Sequence, residues 1–104
     1  MNYEDMSDFE INKAVASYLP IDWCWMDYTV YLDVDHTEVL DPCNNPSDAW
    51  PIIVENKINI TYHSDGDACA EVFCESNNDW ISVVCKNPLR AAMIFFLKMK
   101  DAEQ

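Results

Sequence analysis

Residues 44–60, NNPSDAWPIIVENKINI, carry a helix start, a helix stop and the opening of a strand in one uninterrupted run. The Asn45 side-chain oxygen can cap a helix by accepting a backbone N–H, and Pro46 suits the first helical position, where its missing N–H has no partner to lose. Asp48 falls in the first turn, where the helix dipole favours negative charge. After Ala49–Glu55, Asn56 is placed as the left-handed residue that ends the helix, because Gly66 is the only glycine in the chain and asparagine is the next most tolerant residue. Lys57 then opens an alternating strand. Pro51, about a turn into the helix, removes one backbone hydrogen bond and predicts a bent axis or a start displaced toward Ser47.

Downstream, Ile58, Ile60 and Tyr62 alternate with Asn59, Thr61 and His63, and Ser64–Asp67 supplies a turn containing Gly66. Ala68, Ala70 and Val72 share a face of the returning strand, Ser76–Asp79 turns the chain again, and Trp80–Cys85 is apolar on both faces. A two-sided strand of that kind predicts helices on both sides of the sheet. Asn87–Pro88 repeats the Asn–Pro start and opens a helix through Met99. Leu89, Ala92, Met93, Phe96 and Leu97 form its apolar stripe, widened by Ala91, Ile94 and Phe95 until part of it could cover a second subunit. The last four residues, 101–104, read as a frayed polar tail.

Upstream, Ser7 and Glu10 have capping-box spacing, and Ile11, Ala14, Val15 and Tyr18 follow at helical intervals before Pro20, which predicts a helix over residues 8–18. An aromatic cluster (Trp23, Trp25, Tyr28, Tyr31) leads into Tyr28–Val34, whose alternation predicts an edge strand with one wet face. Residues 35–45 read as a long acidic loop. The expected fold is α+β, one domain over residues 1–104, with a three- or four-stranded, mostly antiparallel sheet flanked by three helices.

The stretches 7–15 (SDFEINKAV), 41–46 (DPCNNP), 50–53 (WPII) and 87–100 (NPLRAAMIFFLKMK) resemble the small bacteriophage and prophage proteins of the NinX family, whose function is not established. The helix–strand–strand–strand–helix order from Asn45 onward is also similar to a small phage domain described as an alpha-beta-alpha sandwich. The resemblance implies a phage accessory protein acting in the host bacterial cytoplasm and brings no catalytic residue with it.

Nineteen acidic residues against six basic give a net charge of −13, and residues 1–48, with eleven acidic groups and one basic, carry −10 of it. Such a surface repels nucleic acid directly and attracts basic protein surfaces. There is no run of apolar residues long enough to span a membrane, and acidic Glu4 and Asp5 stand where a secretion signal is basic. Five cysteines without a CxxC pair read as free thiols rather than a zinc site. Asp33, Asp35, Glu38 and Asp41 open like a calcium loop but lack its sixth-position glycine and twelfth-position acid, so no metal or other cofactor is expected. With His36 and His63 the only histidines, a Cys43–His36–Asp41 hydrolase exists only on paper, and a single glycine excludes a glycine-rich phosphate cradle. The chain is therefore expected not to be an enzyme.

What remains is surface recognition. Carboxylates at i and i+2 on a strand stand about 6.8 Å apart, a spacing of the same order as DNA phosphates along one strand, and Asp33/Asp35 and Asp65/Asp67 have that sequence separation. The favoured expectation is a protein that binds and inhibits a basic host nuclease or defence complex. Asp27, Asp33, Asp35, Glu38 and Asp41 would contact Arg or Lys, extended by Asp22, and Trp25 and Tyr31 would serve as apolar anchors beside Trp23. The competing expectation is a small structural or regulatory module, a homodimer through residues 88–100, whose acidity serves solubility.

Overall fold

Among the described residues, three helices and six strands follow the order that the sequence implies, with two additional strands. The computed structural model describes residues 3–33, 35–62, 66–74 and 79–102, and only the backbone of 71–74, 79–82, 84 and 102. His63, the 64–65 part of the first turn, the Asp65/Asp67 spacing and the 76–78 part of the second turn lie outside the described residues. A 3-10 turn at Tyr3–Asp5 precedes helix α1 (Asp8–Ser17). Strands β1 (Cys24–Met26), β2 (Thr29–Tyr31) and β3 (Val39–Leu40) come next, then helix α2 (Pro46–Glu55). Strands β4 (Asn59–Tyr62), β5 (Ala68–Cys74) and β6 (Asp79–Cys85) and helix α3 (Pro88–Ala102) complete the chain. The class is α+β: an antiparallel main sheet, β4-β5-β6, and a separate small antiparallel sheet, β1-β2-β3.

The decisive run folds nearly as read. Asn45 caps α2 by accepting from the Ser47 N–H at 2.9 Å, and the helix starts at Pro46, not at Ser47, and continues through Pro51. The stop differs by one residue. Asn56 keeps φ −96°, and Lys57 takes the left-handed conformation at φ +57°. The Ile58 N–H reaches the Ile53 carbonyl at 3.0 Å and the Lys57 N–H the Val54 carbonyl at 3.2 Å, the paired bonds of a Schellman end. Asn56 instead uses its side-chain amide, which donates to the Ile52 carbonyl at 2.8 Å, and that bond holds it in a non-left-handed conformation. Ile58 and Ile53 are both buried in the core, so their burial fixes the register of this turn. A lysine in the left-handed region is strained by its Cβ. Lys57→Gly is therefore expected to stabilise the fold by about 0.5–1 kcal/mol, read as a higher urea midpoint at unchanged slope; a lower midpoint would show that the strain reading is wrong.

Helix α3 occupies the centre. Its residues Ala91–Leu97 are all buried, because one side packs on β5 and β6 while the other receives α1 and α2. The wide apolar arc is thus covered within one chain. That burial leaves no large apolar surface on residues 91–97 for the dimer contact considered above. Among the described residues, α3 is the only helix packed extensively on the main sheet, so the two-sided helix cover foreseen from Trp80–Cys85 is not found. An all-round apolar helix needs cover on both sides itself, and α1 and α2 supply it on the face away from the sheet.

Of the span expected as an edge strand, Val34 lies outside the described residues, and residues 28–33 do not form one. Only Thr29–Tyr31 are extended, and β2 is the centre of the small sheet, pairing with β1 through Trp25↔Val30 and with β3 through Val30↔Leu40. Asp27 and Tyr28 form the two-residue hairpin turn, with φ +52° and +59°, values that bring the right-handed twist of the two strands together. Val30 and Leu40 are buried with Ala16 of α1 in a satellite core, against which Phe9, Trp23 and Leu32 pack. The molecule is therefore layered as small sheet, α1 with α2, α3 and main sheet.

Of the expected frayed tail, residues 101 and 102 belong to helix α3, and 103–104 lie outside the described residues. Helix α3 runs to Ala102 because the Asp101 carboxylate accepts hydrogen bonds from the Tyr3 hydroxyl and, at 3.0 Å, from the Tyr18 hydroxyl. Those two phenols tie the last turn of α3 to both ends of the N-terminal segment. Lys98 adds an exposed 2.6 Å pair with Glu4, whose carboxyl it holds below the usual range by hydrogen bonding.

Candidate functional site

The residues expected to form one acidic face divide into two groups. Asp27, Asp35 and Glu38 are exposed, Asp27 in the β1–β2 turn and the other two in the loop before β3. Asp33 and Asp41 are turned to internal work. Asp33 lies past the end of β2, where one carboxylate oxygen accepts the N–H groups of Thr37 and Glu38, each at 3.0 Å, and the other the Thr37 hydroxyl. These bonds, that of Glu38 foremost, hold its carboxyl below the usual range. Because Asp33 and Asp35 follow the strand and are not within it, the strand spacing that would imitate phosphates does not apply to them.

Alternation along the small sheet sets its two faces. Trp25, Val30 and Leu40 point toward α1, and Cys24, Met26, Thr29, Tyr31 and Val39 point away. Trp25 stays 55% exposed beside Phe9, 5.7 Å between ring centroids, with the Lys13 ammonium 5.2 Å from its own centroid. Tyr28 stands edge-on to Phe9 at 5.6 Å and is 82% exposed. Tyr31, on the outer face, rests edge-on against His36 at 4.8 Å, which steadies the 33–38 loop. Met26 and Val39 on that face are 43% and 48% exposed.

A second constellation joins stretches remote in sequence. Asn12 is one of the four positions 11, 12, 15 and 16 that α1 buries, and it is only 5% exposed. Its amide oxygen accepts the Cys43 N–H at 3.2 Å and its NH2 donates to Asp41 at 2.7 Å. Asp41 also accepts from the Asn44 amide, and its own N–H donates to Asp48 at 2.9 Å. Asn87 caps α3 by accepting the Leu89 N–H at 3.0 Å, while its amide donates to the Cys43 carbonyl at 2.7 Å. Arg90 binds Asp8 at 2.6 Å and the carbonyls of Met6 and Glu4 at 2.5 and 3.3 Å. The start of α1, the turn before α2 and the start of α3 are thereby locked together. A polar residue inside the apolar arc of α1 and the repeated Asn–Pro were the signals of it in the sequence.

The paper triad is not assembled. Cys43 is fully buried, and burial pushes its thiol up to about 12, with Asp8 adding to the rise; His36 sits in the 33–38 loop against Tyr31. Such a thiol is not a nucleophile at neutral pH. Cys24, Cys43 and Cys85 are free thiols, and among the described residues no three His, Cys, Asp or Glu side chains cluster to hold a metal ion.

Sequence comparison bears on the same three stretches. The model of the family described as Bacteriophage P22, NinX matches residues 2–100. The chain belongs to this family. No curated protein and no solved structure matches it. The matched span contains all the stretches that carried the NinX resemblance, and three of them, 7–15, 41–46 and 87–100, meet at the Asn12–Asp41–Asn87–Arg90 lock. The fourth, 50–53, sets Ile52 and Ile53 into the main core and leaves Trp50 exposed. Among the described residues of this NinX protein, no helix is long and apolar enough to cross a membrane.

Two buried acids are expected to weaken the fold at alkaline pH. Tyr3, through burial and its bond to Asp101, and Cys43, through burial, are both pushed up to about 12 from ordinary values of 10.0 and 9.0. Each holds its proton more tightly folded than unfolded. Their contribution is therefore complete below about pH 9 and is lost as pH rises through the folded values near 12. Denaturant midpoints taken at pH 8 and pH 11 should fall, and by less in Cys43→Ala, which removes one of the two groups; equal midpoints at both pH values in the wild type would contradict the assignment.

Proposed function

We propose that this NinX protein is a non-enzymatic phage accessory protein that binds and inhibits a host protein with a basic surface, a nuclease or a component of a defence complex, in the host cytoplasm. The observation that carries the reading is the distribution of charge. Between Lys13 and Lys57 the chain has eight acidic residues and no lysine or arginine. Asp27, Asp35 and Glu38 of that stretch project from the two ends of the small sheet, with exposed Trp25 and Tyr28 at the Asp27 end. Carboxylates of this kind pair with Arg or Lys and speed encounter in a salt-dependent way, while exposed aromatic residues supply contact area at low entropic cost. Asp33 and Asp41 are already committed to hydrogen bonds within the chain, so the contact is one of general charge and shape and not of phosphate register.

The test is affinity capture from infected host lysate with the wild type and with a variant in which Asp27, Asp35 and Glu38 are changed to Asn, Asn and Gln. A partner retained by the wild type, released by raised salt and lost by the variant supports the reading. Equal recovery of the same partner by both proteins would overturn it.

A further inference from the structure

We infer that the outer face of the small sheet is a docking platform for a basic amphipathic helix of a partner protein. The inference rests on the proposed function and deepens it by naming the surface and the chemistry that fits it. Sheets normally bury their apolar faces against helices. The inner face, Val30 and Leu40, has α1 as its cover; the outer face, with Met26, Tyr31 and Val39, has no described helix upon it. Three strands about 4.8 Å apart make a platform about 10 Å wide, and a helix with its side chains is about 10 Å across. One helix therefore spans what His36, lying against Tyr31, leaves open.

The charges at the rim select the helix. Asp27 lies at the end of the strands where β1 turns into β2, and Asp35 and Glu38 lie at the opposite end. A helix bearing apolar residues on one side and arginines or lysines at both ends of that side would set its apolar face on Met26 and Val39 and its cations on these carboxylates. A second copy of the chain does not meet this requirement, since each copy carries −13. The loop presenting Asp35 and Glu38 is held by the Asp33 bonds to Thr37 and Glu38, and the Leu32 N–H donates to the Glu38 carbonyl at 2.8 Å, so the rim is pre-set and costs little to order.

The probe is a designed helical peptide of roughly four turns, with leucines on one face and arginines flanking it, titrated into the isotope-labelled full chain while backbone amide shifts are followed. Two control peptides replace arginine by glutamate or leucine by glutamine. Saturable binding with shift changes centred on residues 24–31 and 38–40, weakened about tenfold by Met26→Ser with Val39→Ser and abolished in both control peptides, is the expected result. Changes centred elsewhere on the acidic half would overturn the platform while leaving the broader function standing. Retained binding by the glutamine control would overturn the apolar part of the site, and with it the inference. No saturable binding of the arginine peptide anywhere would overturn the platform, and the lysate capture then decides the broader function by itself. Because Met26 and Val39 are exposed, the unperturbed spectrum of the double variant verifies that it is folded.

Discussion

Asn12→Ala is expected to cost about 3 kcal/mol of folding stability and to lower the melting temperature by roughly 10–20 °C. The cost comes from what the amide leaves behind. The Cys43 N–H loses its acceptor in a buried site, and Asp41 loses the shortest of its donors. Alanine is a better helix former than asparagine by a few tenths of a kcal/mol, a gain too small to offset two buried polar bonds. Asn12→Asp separates the hydrogen-bonding account from a simple loss of volume. It keeps the size and the acceptor for Cys43 but faces the Asp41 carboxylate with a second one, so its stability should be lower at pH 7 than at pH 4 relative to the wild type. If the alanine variant melts within a few degrees of the wild type, the Asn12 bonds do not hold α1 to the turn before α2.

Arg90→Met should cost about 2–3 kcal/mol, and the loss should be felt first at the N-terminus. Methionine preserves much of the aliphatic stem, so the change removes chiefly the guanidinium and its bonds to Asp8, Met6 and Glu4. Asp8 is itself partly exposed and keeps a 3.1 Å bond from Asn44, which is why the ion pair alone explains only a minor part of the expected loss. The larger part is the release of two carbonyls that fix residues 3–6 against α3. Hydrogen exchange should therefore quicken at the Met6 amide, bonded to the Tyr3 carbonyl at 3.1 Å, before the α3 amides respond. Uniform loss of protection across the chain would instead show that Arg90 stabilises the whole fold and not this tether. A double-mutant cycle with Asp8→Asn then gives the pair's share directly.

How much of this was readable depends on the range of the interactions involved. Caps, proline positions and alternation are local, so the starts at Asn45, Ser7 and Asn87 and the antiparallel main sheet follow from adjacent residues. The left-handed residue that ends α2 is Lys57, one past the expected Asn56, because the Asn56 side-chain bond to Ile52 outweighs asparagine's tolerance of the left-handed region. The strand at residues 28–34 was too long because Asp33 gathers the backbone N–H groups of the following loop, which ends the extended run. The acidic surface was legible as charge but not as geometry. Nothing in the spacing of Asp33 and Asp41 tells that both carboxylates already have internal donors.

The α+β class, the three helix starts and a strongly negative N-terminal half can be read from the order of residues, since each depends on side chains acting on their own neighbourhood. The folded arrangement sets which of the predicted contact carboxylates are engaged within the chain, covers α3 from both sides, and brings residues near positions 8, 41 and 87 into one lock. The cover that α1 and α2 give α3 and the lock depend on contacts between segments more than thirty residues apart, set by how the layers stack and not by any periodicity along the chain. Asp33 is engaged by Thr37 and Glu38 only because the loop folds back onto it.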